Sequence, residues 1–167
     1  MTGRAGARRL AGALVVLSWG VAAAGAESPS AAPPQSPAVG DKFPAFDAEG
    51  LDGVAKHIDD RKASTTVFLF FLSGCPVCHK MIPEWNRAYE RRANGVQVIG
   101  VLMDKEPPGF FMAMPISFPV VRSPGLDFLR GRNVNRAPLT LRVVAGVVKD
   151  VGLGQIDAIR LGEIFRP

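Results

Sequence analysis

From residue 65 onward, the apolar positions follow two patterns that predict strands and helices. Residues 65–72 read TTVFLFFL, and this β-branched and aromatic run has the length of a strand that is buried on both faces. Residues 96–103 form a second run of this kind. Between the two runs, apolar side chains recur at the spacing of one helix face: Met81, Trp85, Ala88 and Tyr89. This helix is expected to begin at or near Cys75 and to end at Asn94-Gly95, where glycine suits a left-handed cap.

The remaining pattern predicts shorter elements. They are helices over residues 109–114 and 124–130, a brief strand over 118–121, strands over 139–144 and 147–151, and a closing helix over 155–165. Leu126 and Leu129 are expected on the inner side of the helix over residues 124–130, and Ile159 is expected on the apolar face of the closing helix. Residues 39–46 predict only an irregular or short edge segment, followed by a turn at Asp52-Gly53. The order implies an α/β fold in which helices flank a mixed central sheet.

The N-terminus has the pattern of a secretory signal peptide over residues 1–26. Three arginines precede an alanine-rich apolar stretch over residues 10–24, and Ala24-Gly25-Ala26 offers small residues for cleavage before Glu27. The apolar stretch is shorter than the roughly 20 residues of a membrane-spanning helix. We therefore expect an exported protein, either periplasmic or secreted. The alternative is an uncleaved N-terminus that tethers the protein to the membrane.

A linker and one domain follow the signal. Residues 27–38 read ESPSAAPPQSPA, which contains no large apolar side chain and cannot form a core. Residues 39–167 have the size of a single domain. The formal charge is +5, but without the three arginines of the signal the 20 basic side chains become 17 against 15 acidic ones, which leaves +2. Because no basic stripe is interleaved with aromatic residues, nucleic-acid binding is not expected.

Cys75 and Cys78 are the only cysteines, and they lie at the predicted start of the first helix. A disulfide between them closes so short a loop that it stabilises the fold little, whereas disulfide exchange makes use of such a pair. At a helix N-terminus, the helix dipole and the free backbone N–H groups favour the thiolate form of Cys75. The spacing therefore predicts Cys75 as the attacking cysteine and Cys78 as the resolving one. The intervening Pro76 and Val77 help to set the redox poise.

The buried strand, the Cys-Pro-Val-Cys motif and the following helix resemble the thioredoxin-like superfamily. Two further prolines support the resemblance. Pro83 lies inside the helix, and residues 136–141 (RAPLTL) are placed like the cis-proline segment of that family. The export signal, the opening over residues 39–46 and Leu51-Asp52-Gly53 are similar to the TlpA-type periplasmic branch and related redoxins.

The resemblance implies a thioredoxin-like fold and a thiol–disulfide oxidoreductase that uses the Cys75–Cys78 disulfide and no bound cofactor. It also implies that Pro138 shapes the cleft beside the cysteines and that the backbone of Ala137 pairs with the substrate chain. The substrates are expected to be cysteine-containing exported proteins. TlpA-like members more often reduce than oxidise, so a membrane electron donor is expected to keep the protein reduced. We expect a monomer.

Pro76-Val77 replaces the Gly-Pro dipeptide of thioredoxin, and two positions before the first cysteine also depart from it. Leu69 stands where thioredoxin has a buried aspartate, and Gly74 stands where it has a tryptophan before the first cysteine. The resemblance therefore does not identify the proton acceptor for Cys78. His79 and Glu84 are candidates for proton transfer, and the alternative for each is a side chain that faces solvent.

Three other functions share parts of this pattern. The motif followed by His79 matches the attachment site of a c-type haem, but small cytochromes of that kind are helical and lack the strand. A peroxiredoxin-like peroxidase needs threonine and proline where Leu72 and Phe68 stand. A Cu(I)-handling metallochaperone would use the cysteine thiolates and a distant histidine, for which His57 is available. We expect exchange chemistry rather than a metal site.

Overall fold

The computed structural model describes residue 2, residues 36–59, residue 63 and residues 65–167. Apart from residue 2, the predicted signal peptide over residues 1–26 lies outside these residues, as does most of the linker over residues 27–38. The helices and strands given below belong to the unit Ala32–Pro167. Within the described part of the chain, no helix is both long and apolar enough to span a membrane.

The described residues form a mixed sheet with helices on both faces. In chain order, the elements are β1 (Phe46–Gly50), β2 (Ala55–Ile58), β3 (Thr65–Phe71), α1 (Pro76–Glu90), β4 (Val96–Leu102), α2 (Phe110–Ala113), β5 (Val120–Arg122), α3 (Leu126–Gly131), β6 (Leu139–Val144), β7 (Val147–Leu153) and α4 (Ala158–Ile164). The strands lie in the order β2-β1-β5-β4-β3-β6-β7. β3 runs parallel to β4 and antiparallel to β6, and β4 runs parallel to β5. The predicted α/β class and the mixed central sheet are confirmed.

Strand β3 organises the core, because its side chains alternate between two apolar clusters. The odd-numbered residues from Val67 to Phe71 pack with Trp85 of α1 and with the apolar side of α4. The even-numbered residues pack with Phe43 and with Leu129, the buried side chain of α3. Every residue of β3 is buried, and the strand has a neighbour on either side. Its C-terminal end, from which the chain enters α1, is therefore held in place from all directions.

The first two strands were not predicted. Residues 39–45 are irregular with one bridge from Lys42 to Val147, as expected, and β1 then begins at Phe46 and pairs with β2 in antiparallel register. β1 alternates buried and exposed residues over only five positions, and three of the four residues of β2 are exposed. Strands this short carry little apolar pattern, because few of their side chains reach the core. The turn at Asp52-Gly53 lies between them, and Gly53 has the positive φ of 77° that favours glycine.

The helices also differ from their predicted extents. α1 ends at Glu90, before the expected stop at Asn94-Gly95. Leu126 is 66% exposed instead of facing the core, because it is the first residue of α3 and helical side chains tilt toward the N-terminus. Ile159 is 78% exposed. It lies two residues before the buried Leu161, and residues two apart point to opposite sides of a helix.

A hydrogen bond inside the core joins α1 to β6. The indole Nε1 of Trp85 donates to Thr140 Oγ1 over 3.0 Å, and both side chains are buried. Nε1 is the one polar atom of the tryptophan side chain, so without this acceptor a buried donor would stay unpaired. The bond connects the helix that follows the cysteines to the strand that follows Pro138.

Thr140→Val keeps the shape of the side chain but removes the acceptor of this bond. We expect the free energy of unfolding to fall by about 1–3 kcal/mol, because the buried indole N–H loses its partner. Urea denaturation followed by circular dichroism measures the change. Ile159→Ala is the control, since truncation of an exposed side chain should alter stability by less than about 0.5 kcal/mol. A Thr140→Val protein as stable as this control would contradict the role of the bond.

Candidate active site

The C-terminal end of β3 delivers Cys75 to the start of α1. β3 ends at Phe71, and α1 begins at Pro76 with Cys75 as its N-cap residue. Cys75 has extended backbone angles (φ −91°, ψ 113°), and its Sγ accepts a hydrogen bond from the backbone N–H of Cys78 over 3.2 Å. Proline suits the first helical position, because its missing N–H needs no partner there. The sulfur of Cys75 thus lies at the N–H end of the helix, where negative charge is stabilised.

The two thiols differ in burial. Both are free in this structure; Cys75 is partly exposed, whereas Cys78 is fully buried. Burial raises the pKa of Cys78 to about 12, and the hydrogen bond with Cys75 and the charges of Cys75 and Asp104 act in the same direction. At neutral pH, Cys78 is therefore a protonated thiol. Cys75 is the sulfur of the pair that lies within reach of another molecule.

The segment before β6 completes a cleft beside Cys75. The Ala137–Pro138 peptide bond is cis, and the Ala137 carbonyl oxygen lies 4.0 Å from Cys75 Sγ. β6 is antiparallel to β3 with Leu139 opposite Phe70, so this register carries the segment to the end of β3 where the cysteine loop begins. The structure therefore brings together the cysteines and the proline segment that the sequence analysis placed in one cleft.

The two candidates for proton transfer have different surroundings. His79 Nε2 bonds to the Ser73 carbonyl oxygen over 2.6 Å, and its ring lies 6.1 Å from that of Phe110. A carbonyl oxygen can only accept, so Nε2 carries a proton and donates it to this bond. Glu84 forms an ion pair with Arg87 and lines a groove between α1 and α4. The structure places His79 against the cysteine loop and Glu84 in a surface ion pair.

The histidine considered for copper binding lies elsewhere. His57 is on β2 and pairs with Asp47 over 2.6 Å. β2 is an outermost strand, and β1, β5 and β4 separate it from β3, so the fold does not bring His57 to the cysteines. Among the residues that the structure describes, no group of three His, Cys, Asp or Glu side chains could hold a metal ion.

Two polar residues beside the motif were missed by the sequence analysis. Asp104 follows β4, and its carboxylate accepts hydrogen bonds from the Ser73 backbone N–H over 2.8 Å and from Ser73 Oγ over 2.9 Å. The parallel pairing of Phe71 with Leu102 sets the ends of β3 and β4 side by side. The available signal was a polar residue after each of two buried runs, because the carboxyl ends of parallel strands meet at one edge of a sheet.

Comparison with known proteins agrees with this geometry. The Redoxin family model matches residues 38–157. The chain belongs to the Redoxin family. This confirms the resemblance to the thioredoxin-like superfamily, indicated by the cysteine motif and Pro138, and to its TlpA-type redoxins, indicated by the export signal and the segments at residues 39–46 and 51–53. This redoxin is a thiol–disulfide oxidoreductase, as its family and its paired cysteines predict.

Solved structures share the fold of this redoxin. The thiol:disulfide interchange protein DsbE from Chlorobium tepidum is 26% identical, with a TM-score of 0.63, and the match covers 75% of this chain and 92% of that one. StoA from Bacillus subtilis is 20% identical, with a TM-score of 0.62 and coverage of 72% and 95%. The lipoprotein thioredoxin Etrx1 from Streptococcus pneumoniae is 16% identical, with a TM-score of 0.63 and coverage of 72% and 97%. A search of curated proteins found no match.

In the reduced protein at pH 8, iodoacetamide should modify Cys75 and leave Cys78 unmodified. Alkylation requires a thiolate, and a thiol with a pKa of about 12 has almost none at this pH. As the pH rises toward 12, Cys78 should ionise and lose this protection. Timed alkylation followed by peptide mass mapping measures both sites, with guanidinium-unfolded protein as the control in which both react. Equal modification of the two cysteines in the folded protein at pH 8 would contradict the assignment.

Proposed function

We propose that this redoxin is an exported reductase of protein disulfides. Cys75 attacks the substrate, Cys78 resolves the intermediate, and Ala137 and Pro138 form the wall of the cleft. The observation that carries the proposal is the geometry of the helix cap. The reachable sulfur of Cys75 accepts the N–H of Cys78 at the start of α1, while the buried thiol lies one turn behind it.

The exchange proceeds in two steps. The Cys75 thiolate attacks one sulfur of a substrate disulfide, forms a mixed disulfide and releases the other substrate sulfur as a thiolate, which takes a proton from solvent. Cys78 then loses its proton to solvent and its sulfur attacks the sulfur of Cys75, which breaks the mixed disulfide and releases the second substrate sulfur as a thiolate that takes a proton from solvent. The substrate gains two electrons and two protons, and the protein keeps the Cys75–Cys78 disulfide. The reaction needs no bound cofactor.

The surface around Cys75 suits a polypeptide substrate. Pro76 is exposed and Val77 is 38% exposed, so apolar surface adjoins the sulfur. The Ala137 carbonyl oxygen, 4.0 Å from Cys75 Sγ, can accept an N–H from an extended chain that flanks a substrate cysteine. These features support cysteine-containing exported proteins as substrates.

The proposed compartment rests on the N-terminal pattern and on a structural neighbour, and the proposed direction rests on the resemblance to TlpA-type members. Residues 1–26 have the pattern of a signal peptide, and the neighbour Etrx1 is described as an exposed lipoprotein. Compartments outside the cytoplasm are oxidising, so a reductase there needs a steady supply of electrons. We assign this supply to a dithiol donor in the membrane, which reduces the Cys75–Cys78 disulfide by the same exchange in reverse.

Cys75→Ser should reduce the insulin disulfide reductase activity to background, because a serine oxygen cannot form the mixed disulfide. Cys78→Ser should instead accumulate a mixed disulfide between Cys75 and the substrate, because the resolving sulfur is missing. Insulin turbidity measures the activity, and non-reducing gels with mass spectrometry detect the adduct. His57→Ala, on the far edge of the sheet, is the control and should be fully active. Wild-type turnover by Cys75→Ser would overturn the catalytic assignment.

The reduction potential of the Cys75–Cys78 couple tests the direction. A reductase should lie near the potential of thioredoxin, about −270 mV, and a strong oxidant near that of DsbA, about −120 mV. We expect a value closer to that of thioredoxin. Equilibration of the protein in thiol–disulfide buffers, followed by alkylation of the free thiols, measures it. A potential near that of DsbA would reverse the proposed direction and leave the exchange mechanism in place.

A further inference from the structure

Ser73, two residues before Cys75, has all of its polar groups engaged. It is 5% exposed. Its N–H and Oγ donate to the two carboxylate oxygens of Asp104 over 2.8 and 2.9 Å, and its carbonyl oxygen accepts from His79 Nε2 over 2.6 Å. Asp104 follows β4, whereas His79 lies in the first turns of α1. Two separate elements therefore hold one residue of the cysteine loop.

The other turn residue of this loop has no packing of its own. Gly74 is exposed, and a Cβ added there would meet no atom within 4 Å. A backbone bond from the Cys75 N–H to the Leu72 carbonyl oxygen, at 3.3 Å, closes the turn but anchors it to nothing outside. The side-chain contacts that tie the turn to the rest of the fold are those of Ser73.

We propose that Asp104 is a positioning residue of the exchange site: it holds Ser73, and through Ser73 the turn that presents Cys75, and its charge acts on Cys78. The inference rests on the proposed function, because it concerns the same pair of cysteines. Asp104 forms no bond with either sulfur in the structure, so it acts through the turn and through its field rather than as an attacking group.

The bonds of Asp104 to Ser73 hold its carboxylate beside the cysteine loop, from which its negative charge acts on the buried Cys78. Burial is the largest cause that raises the pKa of Cys78, and the charges of Cys75 and Asp104 add to it. The side chains packed with Cys78 in its core cluster are apolar, and they include Leu69, which stands where thioredoxin has its buried aspartate. His79, next to Cys78 in sequence, is a further titratable group that contacts the loop. Because β3 contains no acidic residue, the carboxylate that acts on this cysteine pair comes from the end of β4.

Two substitutions separate the bonds of Asp104 from its charge. Asp104→Asn keeps an oxygen that can accept from the Ser73 N–H and an amide that can donate to Ser73 Oγ, but it removes the charge. Asp104→Ala removes the charge and both bonds. Ser73→Ala removes the bond from Oγ and leaves the bond from the backbone N–H.

The test measures the single-turnover rate at which the reduced, full-length protein reacts with oxidised glutathione. We expect Asp104→Ala to slow attack by Cys75 about tenfold, since a loosened turn misplaces the sulfur. Asp104→Asn should stay within about twofold of the wild type at pH 7, because it keeps the turn in place. Ser73→Ala should fall between the two. In both Asp104 variants, alkylation of Cys78 should begin at a lower pH than in the wild type, because the opposing negative charge is gone.

Asp127→Asn is the matched control, since Asp127 is a fully exposed carboxylate on α3. It should change neither the rate nor the pH profile. Equal slowing by Asp104→Asn and Asp104→Ala, or slowing by neither, would overturn the positioning role. An unchanged onset of Cys78 alkylation in both variants would overturn the role of the charge. If Asp104→Ala does not fold, Ser73→Ala replaces it in the test, and a wild-type rate in Ser73→Ala would contradict the positioning role.

A readout without disulfide exchange keeps this inference distinct from the proposed function. If the wild type failed to react with oxidised glutathione, the proposed function would fall. The nitrogen NMR chemical shifts of the His79 imidazole then test, without any exchange reaction, whether Asp104 holds Ser73 in place. A single Nε2-protonated form is expected in the wild type and in Asp104→Asn, and mixed forms in Asp104→Ala, where Ser73 is no longer held. Identical His79 chemical shifts in all three proteins would contradict the proposal that Asp104 holds Ser73 in place.

Discussion

The complete burial of β3 is the constraint on which the rest of the structure depends. Each face of this strand lies against an apolar cluster, and each edge pairs with another strand, so its C-terminal end has one available position. The chain leaves that end through a four-residue loop into α1, which sets Cys75 at the helix cap. The neighbouring strands then place Asp104 on one side of this loop and Pro138 on the other. The site is a consequence of how β3 is packed.

The same burial makes the two cysteines unequal. Cys75 lies at the boundary, where its sulfur meets the N–H end of the helix and remains partly exposed. One turn further along, Cys78 lies in the core cluster with Met81 and Trp85, and burial holds its pKa at about 12. Thiol–disulfide exchange requires this difference, because the attacking sulfur must be ionised and reachable while the resolving sulfur waits as a thiol.

Sequence reasoning succeeded where a long apolar pattern or a spaced motif carried the information. β3, β4 and α1 were predicted because their burial repeats over many residues, and Cys75 and Cys78 because their spacing has few structural uses. It failed at β1 and β2, which are too short to show an apolar pattern, and at Leu126, where the position within the helix outweighs the apolar character of the side chain. His79 lies against the cysteine loop, but its bond to the Ser73 carbonyl oxygen became evident only from the fold.

By itself, the sequence determined the family, and it predicted the cysteine pair and the proline segment that faces it, because each is encoded by local residue type and spacing. Only the tertiary structure decided which carboxylate acts on the pair. β3 carries Leu69 where thioredoxin has its buried aspartate, so β3 supplies no carboxylate to the pair. The parallel register of β3 and β4 instead brings the carboxylate of Asp104 beside the cysteine loop. Such a register depends on which strands become neighbours, and strands distant in sequence become neighbours only when the whole sheet assembles.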